Sequence, residues 1–132
     1  MIYGNDGGIQ IDWSAASCSA YNNTIYANQT YGIYVGPAST SAVVRNNIVY
    51  GTVASSFAGL EGDYYDLGVG TVQDHNLIGV DPMFVNAAGD DFRLSAGSPA
   101  IGAGTAAGAP ATDIAGNPRP QGGAGVVGAY ES

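Results

Sequence analysis

Gly32-Ile33-Tyr34-Val35 and Asn46-Asn47-Ile48-Val49-Tyr50 are short apolar stretches separated by turn-forming residues, and both are spelled again 24 positions earlier. Ile9 matches Ile33, Ile11 matches Val35, Asn22 and Asn23 match Asn46 and Asn47, and Ile25 and Tyr26 match Val49 and Tyr50. A third copy follows at an offset of 29, where Val43 meets Val72, Asn47 meets Asn76, Ile48 meets Leu77 and Val49 meets Ile78. The extra five residues are expected in a loop between Gly51 and Gly70.

A period in the twenties marks a stacked repeat, whose single unit cannot bury its apolar side without neighbours. Each unit holds two alternating stretches and no helical stripe, so it reads as a coil of short strands. Equivalent strands then pair in parallel from coil to coil. Alternation turns Ile9, Ile11, Ile33 and Val35 inward and Gln10, Asp12 and Tyr34 outward. Ile25, Val49 and Ile78 share an interior column. Asn23, Asn47 and Asn76 form a column of another kind: amides stacked roughly 4.8 Å apart hydrogen-bond along the stack and to turn backbone groups. The prediction is an all-β parallel β-helix of about three coils over residues 1–80. Residues 81–132, rich in Gly, Pro and Ala, are expected to form an irregular cap on the same core.

The repeat resembles the right-handed parallel β-helices of pectate-lyase-like proteins over about Gly7 to Val80. The tail resembles a choice-of-anchor Q type C-terminal region. The residues that carry this are Asp81-Pro82-x-Phe84, Gly97-Ser98-Pro99-Ala100-Ile101-x-Ala103-Gly104, Asp113-x-x-Gly116-x-Pro118-Arg119 and Gly128-Ala129-Tyr130-Glu131, in that order. It departs at Gly102 and Val126, where that family commonly has Asp. Arg119 with Asp113 is what remains of a charged network there. The resemblance implies a bacterial protein that is extracellular or on the cell surface. The start of the chain carries no signal-peptide pattern, so a fragment boundary is expected at Met1.

Eleven carboxylates face three arginines, Arg45, Arg93 and Arg119, and no lysine. Nucleic acid and anionic lipid are therefore not expected as partners, because both need clustered cations. No apolar stretch is long enough to insert in a membrane. Cys18, alone in the chain, reads as a small core residue. If Met1 begins the chain, the first coil is bare and two copies are expected to pair end to end.

For chemistry, His75 stands in the column of Asn22 and Asn46 beside the amide ladder, which makes it a turn residue before it is a base. Asp90-Asp91 has the composition of an acid pair but sits in a turn sequence. No catalytic residue is assigned. Glu61, Asp63 and Asp66 are the candidate ligands for calcium, the one cofactor considered. Tyr26, Tyr50, Tyr34 and Trp13 are the candidate carbohydrate-binding residues, since aromatic faces beside Asn and Asp suit sugar rings. The expected function is a non-catalytic scaffold, with polysaccharide as the expected partner. The alternatives are the C-terminal part of a polysaccharide lyase, epimerase or glycoside hydrolase, or a self-associating piece.

Overall fold

The computed structural model describes residues 1–53, 62–120 and 124–131. After the short β1 (Ile2–Tyr3), three coils follow, each made of three strands: β2 (Gly7–Ile11), β3 (Ser19–Tyr21), β4 (Thr24–Tyr26); then β5 (Tyr31–Val35), β6 (Val43–Arg45), β7 (Ile48–Tyr50); then β8 (Gly62–Asp66), β9 (Val72–Asp74), β10 (Leu77–Ile78). Equivalent strands pair in parallel, giving sheets β1-β4-β7-β10, β2-β5-β8 and β3-β6-β9. This is a right-handed parallel β-helix.

The register reproduces the offset of 24 between the first two coils, as in Ile9 with Ile33, Ala20 with Val44 and Ile25 with Val49. The next step is not a single insertion. β8 pairs at an offset of 31, Ile33 with Tyr64, whereas β9 and β10 pair at 29. The connection before β8 is thus seven residues longer than its predecessor, and the corner after β8 is two shorter, which leaves the net of five.

Ile11, Ile25, Ile33, Val35, Val44 and Val49 form the inner core with Ala42, and Ile9, Tyr64 and Ile78 pack against it. Cys18 is exposed rather than buried. It stands in the corner before β3, where Ser17 takes a left-handed φ of 55° and breaks the alternation that would have turned Cys18 inward.

Between β3 and β4 the chain turns in two residues, and the two have opposite jobs. The first, Asn22, Asn46 or His75, has φ of 51°, 57° or 51°, a left-handed turn that Asn tolerates better than most side chains. The second aims its amide along the stack. Asn23 Nδ2 donates to Asn47 Oδ1, and Asn47 Nδ2 to Asn76 Oδ1, both at 3.0 Å. The same Oδ1 atoms accept the backbone N–H of the coil before, Asn23 at 3.0 Å and Asn47 at 2.8 Å. Asn47 Nδ2 also reaches Ala20 O and Arg45 O, and Asn76 Nδ2 reaches Val44 O.

The tail was expected to be an irregular cap on the same core, and beyond one hairpin it holds no further strand or helix among the described residues. It begins with an antiparallel hairpin, β11 (Phe84–Asn86) and β12 (Asp91–Leu94). It then runs beside the coils, on the outward residues of β4, β7 and β10. Ile48, Ala100 and Val127 form a second buried cluster with Leu77, Phe84 and Leu94 against it. Ala129 N donates to Thr24 Oγ1 at 2.9 Å and Gly128 N to Asn46 O at 2.7 Å. Asn46 exchanges two hydrogen bonds with the backbone of Thr105, and Asn22 Nδ2 reaches Val126 O and Gly128 O. The physical reason is composition: outward positions that a solvated sheet would fill with polar groups hold Ile48, Leu77 and Tyr26, which need cover. Ile101 is 40% exposed, and Ala100 beside it is fully buried.

The last coil finishes the core with its own side chains. Asp66 falls in the column of Ile11 and Val35, where its carboxylate accepts from Gly68 N, Thr71 Oγ1 and Tyr64 OH.

Asn47→Ala strands the Asn23 amide and the Ala20 carbonyl in a dry corner, so it is expected to cost about 2–4 kcal/mol, read as a lower denaturant midpoint. Asn23→Ala, whose amide closes only one side of the ladder, is expected to cost less. Tyr26→Ala is expected to release the tail first: limited proteolysis should cut within residues 81–131 before any coil is cleaved.

Candidate functional site

Of the four aromatic residues singled out in the sequence, the fold separates two from two. Tyr26 and Tyr50 stack at 6.3 Å on the outer side of β4 and β7. Phe84 and Phe92 of the hairpin cover Tyr26, each with ring centroids at 5.5 Å, and Phe92 also meets Tyr3 at 4.6 Å. A sugar ring has no access to that face of Tyr26. Tyr26 is thus a docking point for the tail, whereas Tyr50 stacks on Tyr26 and is half-buried.

Tyr34 and Trp13 belong to the opposite face, outside β2-β5-β8. Tyr34 stacks on Tyr65 at 6.2 Å and meets Tyr31 at 5.9 Å. Gln10, Tyr34 and Tyr65 occupy one column through all three strands. The Tyr31 hydroxyl donates to Gln10 Oε1 at 3.1 Å, and Gln10 Nε2 donates to Asp12 Oδ2 at 3.3 Å. Aromatic rings and a chain of hydroxyl, amide and carboxylate thus share one surface. Glycines make it possible: a side chain on Gly7 would collide with the Tyr31 ring, and one on Gly36 with the Asp12 carboxylate.

Burial first, then Asp6, raises the Tyr31 hydroxyl above its ordinary value. Burial, followed by Asp12 and Tyr65, does the same for Tyr34. Both therefore remain neutral donors well above pH 7. Tyr34 is only 6% exposed because its neighbours flank it, whereas Trp13 is 89% exposed. Trp13 and Ser14 take φ of 60° and 65°, a costly conformation for a bulky side chain. Sequence reading missed Tyr31. Gly32 and Ile33 both face the core, as the contact of Gly32 with Val49 shows, and this break in alternation puts Tyr31 outside with Tyr34.

The acidic candidates do not converge. Asp66 is spent on its own turn, and Asp63 Oδ1 accepts from Thr52 N at 2.9 Å. Glu61 lies outside the described residues, and among the described residues no three His, Cys, Asp or Glu side chains are grouped to hold a metal ion. Asp90 closes the 3-10 turn before β12 with φ of 59°, and Asp91 is bound by Arg93 through Nε and Nη2. Arg119 pairs with Glu131, at 2.8 Å and almost fully buried, rather than with Asp113. Burial pushes Asp113 up, but backbone N–H groups of Glu131, Asn117 and Ala115 and the Asn117 amide outweigh it and hold the carboxyl below its ordinary value.

His75 Nδ1 lies 3.0 Å from Asp74 Oδ1, and Arg45 grips the same carboxylate with Nε at 2.5 Å and Nη2 at 2.8 Å. The Arg45 hydrogen bonds foremost, and His75 second, bring Asp74 from 3.8 to about 2. This cluster sits at the turn, away from the tyrosine face, and every member is engaged.

Residues 1–73 match the family model described as the right-handed β-helix region. No curated protein and no solved structure matches the chain.

Because Asp74 is more acidic folded than unfolded, its ion pair stabilises above about pH 4 and is lost as the pH falls through about 2. In Asp74→Asn the denaturation midpoint is expected to vary less steeply between those pH values than in the parent protein.

Proposed function

The chain belongs to the right-handed β-helix family, and from that premise we propose that it is a non-catalytic module that binds a neutral polysaccharide on the outer face of β2-β5-β8. The observation that carries the reading is the pair of rings Tyr31 and Tyr65, both packed on the buried Tyr34, beside Gln10 and Asp12, with Trp13 projecting at the corner. Aromatic faces take the C–H side of a pyranose, and the adjoining hydroxyl, amide and carboxylate take its hydroxyls. A row running across the strands suits a chain more than a single sugar.

Charge supports neutral glycans over polyuronates. Arg45, Arg93 and Arg119 are each held by a carboxylate, Asp74, Asp91 and Glu131. With a net charge of −8, the surface repels an acidic chain at ordinary distances. The same pairing supports a non-catalytic role. A lyase or epimerase needs a base within hydrogen-bond reach of the sugar proton, and His75 and the three arginines are all held by carboxylates away from the tyrosine face. The order of motifs in the tail, similar to a choice-of-anchor Q type region, supports a secreted or cell-surface setting.

Affinity electrophoresis in gels containing xylan, hydroxyethylcellulose, polygalacturonate or alginate, with and without calcium, tests this. Retardation is expected in a neutral gel, and Tyr31→Ala and Trp13→Ala are each expected to weaken it about three- to tenfold, the loss of one ring contact. Equal mobility in every gel, unaltered by either variant, overturns binding. Release of unsaturated or reducing-end products from any of these polymers overturns the non-catalytic reading.

A further inference from the structure

A second surface, independent of the tyrosine face, lies on the tail. Between the hairpin β11-β12 and the C-terminal strip runs a groove of about 290 Å³, lined by Val85, Arg93 and Leu94 on one side and Ala115, Asn117, Tyr130 and Glu131 on the other. Small-molecule sites start at roughly 300 Å³, so the space suits one compact ligand. Val85 is 50% exposed there although it sits on a strand. Leu94 is anchored from behind by the second buried cluster. The positions flanking the ring of Tyr130 are fixed: Ala129 N is bound to Thr24 Oγ1, and Glu131 N to Asp113 Oδ2 at 2.9 Å. Asn117 is held by Asp113 through its backbone N–H and its Nδ2, which leaves Oδ1 as a spare acceptor.

Arg93 decides the class of ligand. Its side chain is 67% exposed, against 20% for Arg45 and 5% for Arg119. Asp91 takes Nε and Nη2, so Nη1 is a spare donor on a pair that has no net charge. The groove therefore offers an apolar floor and an aromatic ring, one donor and one acceptor at the rim, and no field that favours an anion. We propose that it binds a single neutral sugar unit, a chain end or short oligosaccharide, with its C–H face on Val85, Leu94 and Tyr130 and its hydroxyls at Arg93 Nη1 and Asn117 Oδ1.

Amide NMR titration of the whole chain with xylotriose, cellotriose and trigalacturonate tests the proposal. Saturable shifts are expected at Val85, Leu94, Asn117 and Tyr130 with at least one neutral trimer, and weaker ones with trigalacturonate. Val85→Arg, which fills the groove from an exposed position, is expected to abolish them. Arg93→Met is expected to weaken binding about threefold or more, the scale of one hydrogen bond, and serves alone if Val85→Arg does not fold. Tyr31→Ala is expected to leave these shifts intact. No shift at the groove with either neutral trimer, a tighter response to trigalacturonate, or shifts that survive both groove variants would overturn the proposal. Shifts confined to Tyr31 and Tyr65 overturn the groove while leaving the tyrosine face standing, and shifts confined to the groove do the reverse.

Discussion

The amide of Asn47 is the point on which the rest of the molecule turns. It is fully buried, and it satisfies backbone groups of the preceding coil and of its own while joining Asn23 to Asn76. Backbone pairing between coils reaches Asn22 N and Asn23 O at this corner, but the N–H groups of Asn23 and Asn47 turn to the ladder amides, and a buried N–H left alone costs as much as a lost hydrogen bond. The ladder makes so sharp a corner tolerable. That sharpness sets the angle between β3-β6-β9 and β4-β7-β10, and through it the shape of the interior. The neighbouring column uses the same residue type for a different purpose: Asn22 and Asn46 take the left-handed turn and spend their amides outward, on the tail.

Covering the side of the stack instead of its end has consequences for function. Ile48, Leu77 and Tyr26 face outward and are apolar, so the sheet β1-β4-β7-β10 cannot remain solvated, and the tail supplies its second layer. That layer takes up the outward side chains of Tyr26, Ile48 and Leu77. The end of the core falls to the last coil, where Tyr64 packs inward and Asp66 closes a set of hydrogen bonds in place of an apolar residue. Burial, with the Asp66 hydrogen bond second, pushes the Tyr64 hydroxyl well above its ordinary value. What stays available is the outer face of β2-β5-β8, whose tyrosines are supported by one another rather than covered by chain.

The coil architecture was legible in the sequence because parallel stacking converts repeat offset directly into register: a pair such as Ile25 and Val49 is at once a sequence match and a Cα partner. The inward column could be read for the same reason. Corners defeated the reading, since a left-handed residue cancels alternation. Ser17 puts Cys18 outside, and the paired inward turn of Gly32 and Ile33 hides Tyr31. The tail was legible as non-repetitive chain but not as a lateral layer. Its anchors include the large Phe84, Phe92 and Leu94 but also small residues, Ala100, Val126, Val127 and Ala129, that give no pattern of their own in the sequence. Of the candidate site, the residue type was readable and the grouping was not, because Tyr26 and Tyr34 differ only in which sheet they leave from.

Charge links these parts. With so few cations, each arginine is placed where a carboxylate and a structural need coincide: Arg45 bridges two coils at the corner through Asp74, and Arg119 is buried among the carbonyls of Val126, Gly128 and Ala129 with Glu131. A buried arginine of this kind contributes little net energy but strongly penalises any arrangement that separates it from its partner. It therefore specifies how the C-terminal strip folds back on itself and which residues flank the groove. Only Arg93 is exposed enough to meet a ligand, and its own carboxylate travels with it. A surface built this way offers directional hydrogen bonds without offering a free cation, because each guanidinium carries its own carboxylate.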